Sequence, residues 1–326
     1  MSIKKVLKPA EFQGDNVRAP YFEGWYFKLV SADEGHKFAL IPGIYLAEKP
    51  ENSHSFVQVF DSNAEKVRYH RYPFGEFRAA DDAFEVQVGP NFFSADTVRL
   101  AIDDDQGQLA GQLAFNHLTR WPVNVLSPGA MGWFAWVPFM ECYHGVVSMD
   151  HTIQGNLELD GVSLDFTGGK GYIEKDWGKQ FPSAYIWGQS NHFDQPGVSL
   201  MLSVAVIPWL KWSFGGFIIG ILHDGVIHRF ATYNRSRIKS LDLGEHEIRL
   251  VVENPSNRLD ITAIRGEGGL LQAPTLTTMD RRIVESLDAR LRVRLETRSG
   301  EPIFAGEGRH AGLETVGDLA KLVQMI

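Results

Sequence analysis

Short runs rich in Val, Ile, Phe, Tyr and Trp alternate along this chain with clusters of Gly, Asp, Asn and Pro, the pattern of many strands separated by turns. Strands are expected over 21–30, 37–46, 54–60, 84–88, 97–102, 109–116, 145–150, 153–159 and 162–166. A second series is expected over 183–193, 198–207, 214–222, 226–233, 246–253, 258–264 and 289–296. The clusters Asp103-Asp104-Asp105-Gln106-Gly107, Asp160-Gly161, Asp224-Gly225 and Ser299-Gly300 offer the short polar and glycine residues that hairpins need. The class is therefore all-β and antiparallel. One helix is expected, near the C-terminus, where Leu313, Val316, Leu319, Leu322 and Val323 recur at helical spacing.

The longest apolar stretch, 198–222, is long enough to span a bilayer, but Pro208 and Lys211 divide it. Recurrent Ser, Gly and β-branched residues read it as two strands joined over Pro208–Trp212. A weak repeat relates two halves of the chain. Segments 161–178 and 300–317 align Gly161 with Gly300, Gly169 with Gly308, Gly178 with Gly317 and Lys170 with Arg309. Trp25 and Trp187 each open an aromatic strand that an apolar one follows. The expected domains are 1–178 and 179–326, each an antiparallel barrel, an architecture that removes exposed edges and can hold one ligand inside.

At 326 residues the chain has room for two such bodies. The net charge of -8, with both signs interspersed and no polybasic block, argues against a nucleic-acid partner. The single cysteine, Cys142, provides neither an intrachain disulfide nor a second sulfur for zinc, which fits a reducing cytoplasm. The N-terminal residues lack the apolar run of a secretory signal. Gly168-Gly169-Lys170-Gly171 lacks the spacer and hydroxyl of a phosphate loop, and no G-x-S-x-G elbow is present. The histidines show no His-x-His or His-Glu-x-x-His spacing, so no metal is expected.

Candidate chemistry gathers in three aromatic blocks, 21–27, 133–145 and 171–193, each carrying a carboxylate or a histidine. In the third, strand alternation would place Tyr185, Trp187, Gln189, Asn191 and Phe193 on one face, able to stack a ring and bond its oxygens. Glu174, Asp176, Tyr172, Trp177 and His192 lie nearby in sequence; Glu23, Trp25, Tyr143 and His144 come from the other blocks. A surface charge cluster is the alternative for Glu174-Lys175-Asp176, structural hydrogen bonding the alternative for His144 and His192, and strand anchoring that for Glu23.

The run GYIEKDWGKQFPSAYIWGQSNHF resembles the signature region of the tocopherol cyclase family, with its E-K-[ND]-W-G, F-P, Y-x-W and Q-x-N-x-F elements. YFEGWYFK near the start, PFMECYHG in the middle, Ala273-Pro274-Thr275 and Met279-Asp280-Arg281 extend the likeness over most of the chain. Asp176 stands where plant members tend to have Asn. The resemblance implies a pair of lipocalin-like barrels packed together and a cofactor-independent isomerase that closes a prenylated benzoquinol, or a similar isoprenoid lipid, to a chromanol. A hydratase of an isoprenoid alkene and a non-enzymatic carrier or sensor of a lipophilic ligand need the same kind of pocket and remain alternatives.

Such a closure protonates an alkene, tolerates a tertiary cation and takes up the phenolic proton. Burial among aromatics raises a carboxyl pKa toward the neutral form that can act as acid, which makes Glu174, Asp176 and Glu23 the candidates. The faces of Trp25, Trp177 or Trp187 could steady the cation. His192 or His144 could accept the proton. The apolar, Pro- and Gly-rich segment 123–140 is expected as a loop that either borders the pocket mouth and dips into a membrane surface or folds inward as a plug.

Overall fold

The computed structural model describes residues 3–326 and is all-β, with two antiparallel sheets and only short helical pieces. It divides into two compact units. The first comprises the chain through Phe181 together with Leu270–Arg282, and the second Pro182–Gly269 with Ile283–Ile326. The boundary thus falls just beyond residue 178, but the return of 270–282 to the first unit has no signal in the sequence. This segment is held there by specific contacts. Gln272 N–H donates to Gln58 Oε1 (2.7 Å), Tyr45 Oη to Thr275 O (3.4 Å), and Met279 packs with Phe22, Tyr45 and Phe56.

In the first unit the strands are β1 (Tyr21–Val30), β2 (Lys37–Leu46), β3 (His54–Asp61), β4 (Lys66–Pro73), β5 (Phe77–Ala79), β6 (Glu85–Val88), β7 (Asn91–Ser94), β8 (Thr97–Asp104), β9 (Gly107–Asn116), β10 (Cys142–Leu159), β11 (Val162–Asp165) and β12 (Lys170–Gly178). They run in the spatial order β4-β3-β2-β1-β12-β10-β9-β8-β7-β6-β5. Position in the sheet shows in the sequence. Outlying β8 alternates, with Val98, Leu100 and Ile102 inward and Arg99 and Asp103 outward, whereas central β1 is buried along nearly its whole length. Edge strand β4 meets the β8–β9 and β10–β11 turns through polar side chains. Tyr69 exchanges two hydrogen bonds with the Gln106 amide, His70 Nδ1 lies 2.7 Å from Asp104, and Arg68 reaches Asp160 at 2.6 Å.

The second sheet contains β13 (Tyr185–Ser190), β14 (His192–Phe193), β15 (Ser199–Trp209), β16 (Trp212–His223), β17 (Val226–Ala231), β18 (Arg237–Leu243), β19 (Glu247–Glu253), β20 (Asn257–Ile264), β21 (Gly268–Ala273), β22 (Arg281–Thr297) and β23 (Pro302–Val316). Their order is β17-β16-β15-β13-β23-β22-β20-β19-β18. In both sheets the first strand lies beside the last, and three later strands continue outward on its other side, β2–β4 in the first sheet and β15–β17 in the second, where the short β14 pairs with β23 instead. The stretch 198–222 is indeed a hairpin, β15–β16, and no helix among the described residues is long and apolar enough to cross a membrane.

Several details differ from the sequence expectation. The two strands expected over 145–150 and 153–159 are one, β10, kinked by register shifts between Val146 and His151. At this irregularity His151 is buried against Phe115 and bonded to Ser148, and burial pulls its imidazole down to about 3. The expected C-terminal helix is also shorter. Leu313 and Val316 belong to β23, and only Leu319–Gln324 is helical, capped by Asp318. Residues 302–316 alternate too irregularly between polar and apolar to be read as a strand, and their pairing with β22 overrides the local pattern.

Candidate active site on the first unit

Strands β1, β12 and β10 lie side by side, and their register sorts the run GYIEKDWG onto two faces. Gly24, Asp176 and His144 stand in one cross-strand row, Tyr26, Glu174 and Val146 in the next. Both rows face away from the unit's apolar core, to which Trp25, Phe27 and Ile173 contribute.

On this face four groups form a chain. Tyr172 Oη donates to Glu174 Oε2 at 2.6 Å, Glu174 Oε2 lies 3.7 Å from His144 Nε2, and His144 Nδ1 is 3.0 Å from Asp176 Oδ1. Glu174 is 4% exposed and Tyr172 fully buried, which rules out a surface charge cluster. Burial on its own would lower the His144 pKa, but the charges of Asp176 and Glu174 and the hydrogen bond to Asp176 outweigh it and raise the imidazole to about 9. His144 is therefore an imidazolium at neutral pH. Burial, then the Glu174 charge, push the Tyr172 hydroxyl well above the usual phenol range, so it stays a donor. One ligand atom each from His144, Glu174 and Asp176 lie within 4.8 Å of one another, a spacing open to a cation as well as to protons.

The other face of the same strands carries a different group. Glu23 and Lys175 are fully buried and paired at 2.6 Å. Glu23 also accepts from Gln13 N (2.9 Å) and from the Tyr21 hydroxyl. Lys175 donates to Pro9 O (3.0 Å) and Glu11 O, and lies between the rings of Trp25 and Trp177, 5.0 and 4.5 Å from their centroids. Trp25 Nε1 donates to Ala10 O (2.9 Å), and Tyr143 stacks on Trp177. This is a latch for the N-terminal segment. Glu23, Trp25, Tyr143 and Trp177 thus lie across the sheet from Glu174, and the Trp25 and Trp177 rings already hold a cation. Lys175 is the residue that sequence reasoning passed over, although its place between Glu174 and Asp176 on a strand requires it to point the opposite way.

Residues 185–193 belong to the second unit. Tyr185, Trp187 and Gln189 do share a face, buried and opposite the unit's apolar core, whereas Ile186 points into that core. The alternation stops at Asn191, where the strand breaks between β13 and β14. Phe193 consequently packs inward against Phe304 instead of continuing the face. His192 Nδ1 lies 3.0 Å from Asn191 Oδ1, and its ring is edge-on to His310. Beside Trp187 on β23 stands Glu314, which accepts from Tyr185 Oη at 2.5 Å and pairs across to Glu285. Each unit therefore presents a tyrosine-bonded carboxylate on the face opposite its own apolar core. Glu314 escaped the sequence reading because it lies far from the aromatic run in chain order.

These features define a lipocalin-like, two-sheet β protein with a part-buried histidine–carboxylate group on one unit. The sequence profile described as Tocopherol cyclase-like matches residues 106–317, more than half of the chain, and the chain belongs to that family. The chloroplastic tocopherol cyclase of Zea mays is 31% identical over 153 residues, 44% of this chain and 31% of the maize protein. The probable chloroplastic tocopherol cyclase of Oryza sativa subsp. japonica is 28% identical over 150 residues, 44% and 32% of the two chains. These matched stretches span about a third of the plant proteins' length. Among solved structures, CghA is similar in fold, with a TM-score of 0.58 at 12% identity over 93% of this chain and 90% of that one.

Proposed function

We propose that this protein is a cofactor-independent isomerase that closes a chromanol ring on a prenylated benzoquinol or a similar isoprenoid lipid. The observation that carries the reading is the chain Tyr172–Glu174–His144–Asp176, buried at its Tyr172–Glu174 end and part-exposed at Asp176, a store of one mobile proton between carboxylates. Asp176 orients the imidazole through Nδ1, leaving Nε2 toward Glu174. The acid end of this chain delivers a proton to the less substituted alkene carbon. The tertiary cation is captured by the phenol oxygen, a C–O bond forms, and the phenolic proton returns to the same carboxylate–imidazole group. Atoms in and out are equal, so no cofactor is needed. Tyr172 holds Glu174 in place.

The test is incubation of the purified chain with a prenylated benzoquinol and mass analysis of the product. Cyclisation gives an isomer of unchanged mass but altered chromatographic mobility, lost in Glu174→Gln and Asp176→Ala. A product heavier by one water assigns hydration; recovery of unchanged quinol bound to the protein assigns carriage.

The lipid is drawn from a membrane surface through 123–140. Several apolar side chains of this loop face solvent, with Leu126 86%, Val125 63% and Phe139 54% exposed, while Ala130, Met131 and Ala135 anchor it inward. Those exposures favour the surface role over the plug. Leu126→Ser with Trp133→Ser should weaken sedimentation with vesicles without lowering the melting temperature.

A further inference from the structure

The β15–β16 hairpin of the second unit ends in Trp209-Leu210-Lys211-Trp212, with Trp209 paired to Trp212 and Leu210 and Lys211 forming the turn. Its side chains are the most open large apolar groups on that unit. Leu210 is 80% and Trp212 82% exposed. Leu210 sits at φ +55°, a left-handed position that Asn or Gly fills at far lower cost in a two-residue turn. A turn selected for folding alone would not place leucine there. The hairpin base is braced, since Gly215 lies against Met325 of the C-terminal tail, whereas Leu210 and Trp212 at the tip are exposed.

We propose that this tip is a docking element that inserts Leu210 and Trp212 into the interface of an anionic lipid bilayer. The reading rests on the lipophilic substrate proposed above. Charge and size both favour a lipid partner. Lys211 is the only charged residue between Ala205 and Gly216, so a chain of net charge -8 presents a locally cationic tip, complementary to acidic headgroups and opposed to a second copy. Two side chains offer a few hundred Å² at most, short of the roughly 800 Å² per partner of a stable protein interface. Tryptophan settles at the headgroup level, leucine reaches the acyl boundary, and lysine extends its ammonium back to the phosphates. Docking of this kind is weak and reversible, as a substrate-collecting protein requires.

The experiment is co-sedimentation of the full chain with phosphatidylcholine vesicles, with and without phosphatidylglycerol. The parent should bind the acidic vesicles, and Leu210→Asn with Trp212→Thr should weaken that binding on the order of tenfold or more. Because Asn suits the left-handed position, the melting temperature of the variant should hold or rise. Lys211→Gln should reduce the preference for acidic vesicles while leaving part of the binding. Turnover of detergent-dispersed quinol should match the parent in every variant, so a failure of the catalytic reading would appear there and not in sedimentation. Unchanged vesicle binding by the folded double variant, or no binding by the parent, overturns the proposal. So does parent self-association without lipid that the double variant abolishes, which would assign the tip to a second copy.

Discussion

Glu174 and Lys175 are neighbours in the chain and point to opposite faces of β12, one toward His144 and the other into a buried pair with Glu23. The two residues should therefore fail in different ways. Glu174→Gln is expected to cut turnover on the order of 10²–10⁴-fold with little change in melting temperature. Lys175→Met strands the Glu23 carboxylate without its ion partner and should cost about 3–5 kcal/mol. Urea unfolding and turnover measured side by side check the separation, and adding Glu23→Gln to Lys175→Met should recover part of the lost stability.

Stability should also carry a mark of His144. Its folded pKa of about 9 exceeds the ordinary 6.5, so the native state binds this proton more tightly than the unfolded chain. The contribution is complete below about pH 6.5 and fades as the pH rises through about 9. Lys175, lowered by burial to about 8, has the opposite sign, with stability rising between there and 10.5. The difference between parent and His144→Gln isolates the histidine's contribution. It should shrink across pH 6.5 to 9 in denaturation curves, and turnover should decline over the upper part of that range.

Gly178 and Gly317, aligned by the internal repeat, should tolerate no side chain. Each has positive φ, 150° and 78°, and a Cβ would lie 2.3 Å from Glu141 O in one and 2.0 Å from Ser183 O in the other. Gly300 also has positive φ but nothing within 4 Å. Gly178→Ala and Gly317→Ala should therefore be strongly destabilising, whereas Gly300→Asn should change stability only slightly, as thermal melts can show.

The spacing of His144, Glu174 and Asp176 predicts reversible inhibition by zinc. Zn²⁺ must displace the imidazolium proton, so inhibition should strengthen as the pH is raised toward 9 and should be reversed by a chelator. The same chelator added to the untreated protein should leave turnover unchanged.

Much of the fold was legible because the strands of a partly buried sheet announce themselves by alternation and by turn residues. β1 and β2 have the expected limits, and Asp160-Gly161 and Asp224-Gly225 form turns with both residues at positive φ. What failed depended on partners distant in sequence. β4 is rich in Arg, His and Lys and reads as polar, yet it is an edge strand whose Arg68 and His70 are buried by Asp160 and Asp104. In the site, Glu174 and Asp176 were visible in the motif. Their grouping with His144 was not, because it depends on β10 lying beside β12, and the split between Glu174 and Lys175 depends on which face each strand position takes.

The return of Leu270–Arg282 to the first unit bears on how the chain is made. During synthesis, the surface of β1 to β3 that carries Phe22, Tyr45 and Phe56 lacks part of its cover when residue 181 emerges, because Met279 is still unmade. At roughly 5–20 residues per second, that surface waits several seconds while most of the second unit is being made. The N-terminal portion is thus finished by the C-terminal one, and a gene cut at the apparent boundary would yield a fragment prone to aggregate rather than a free-standing barrel.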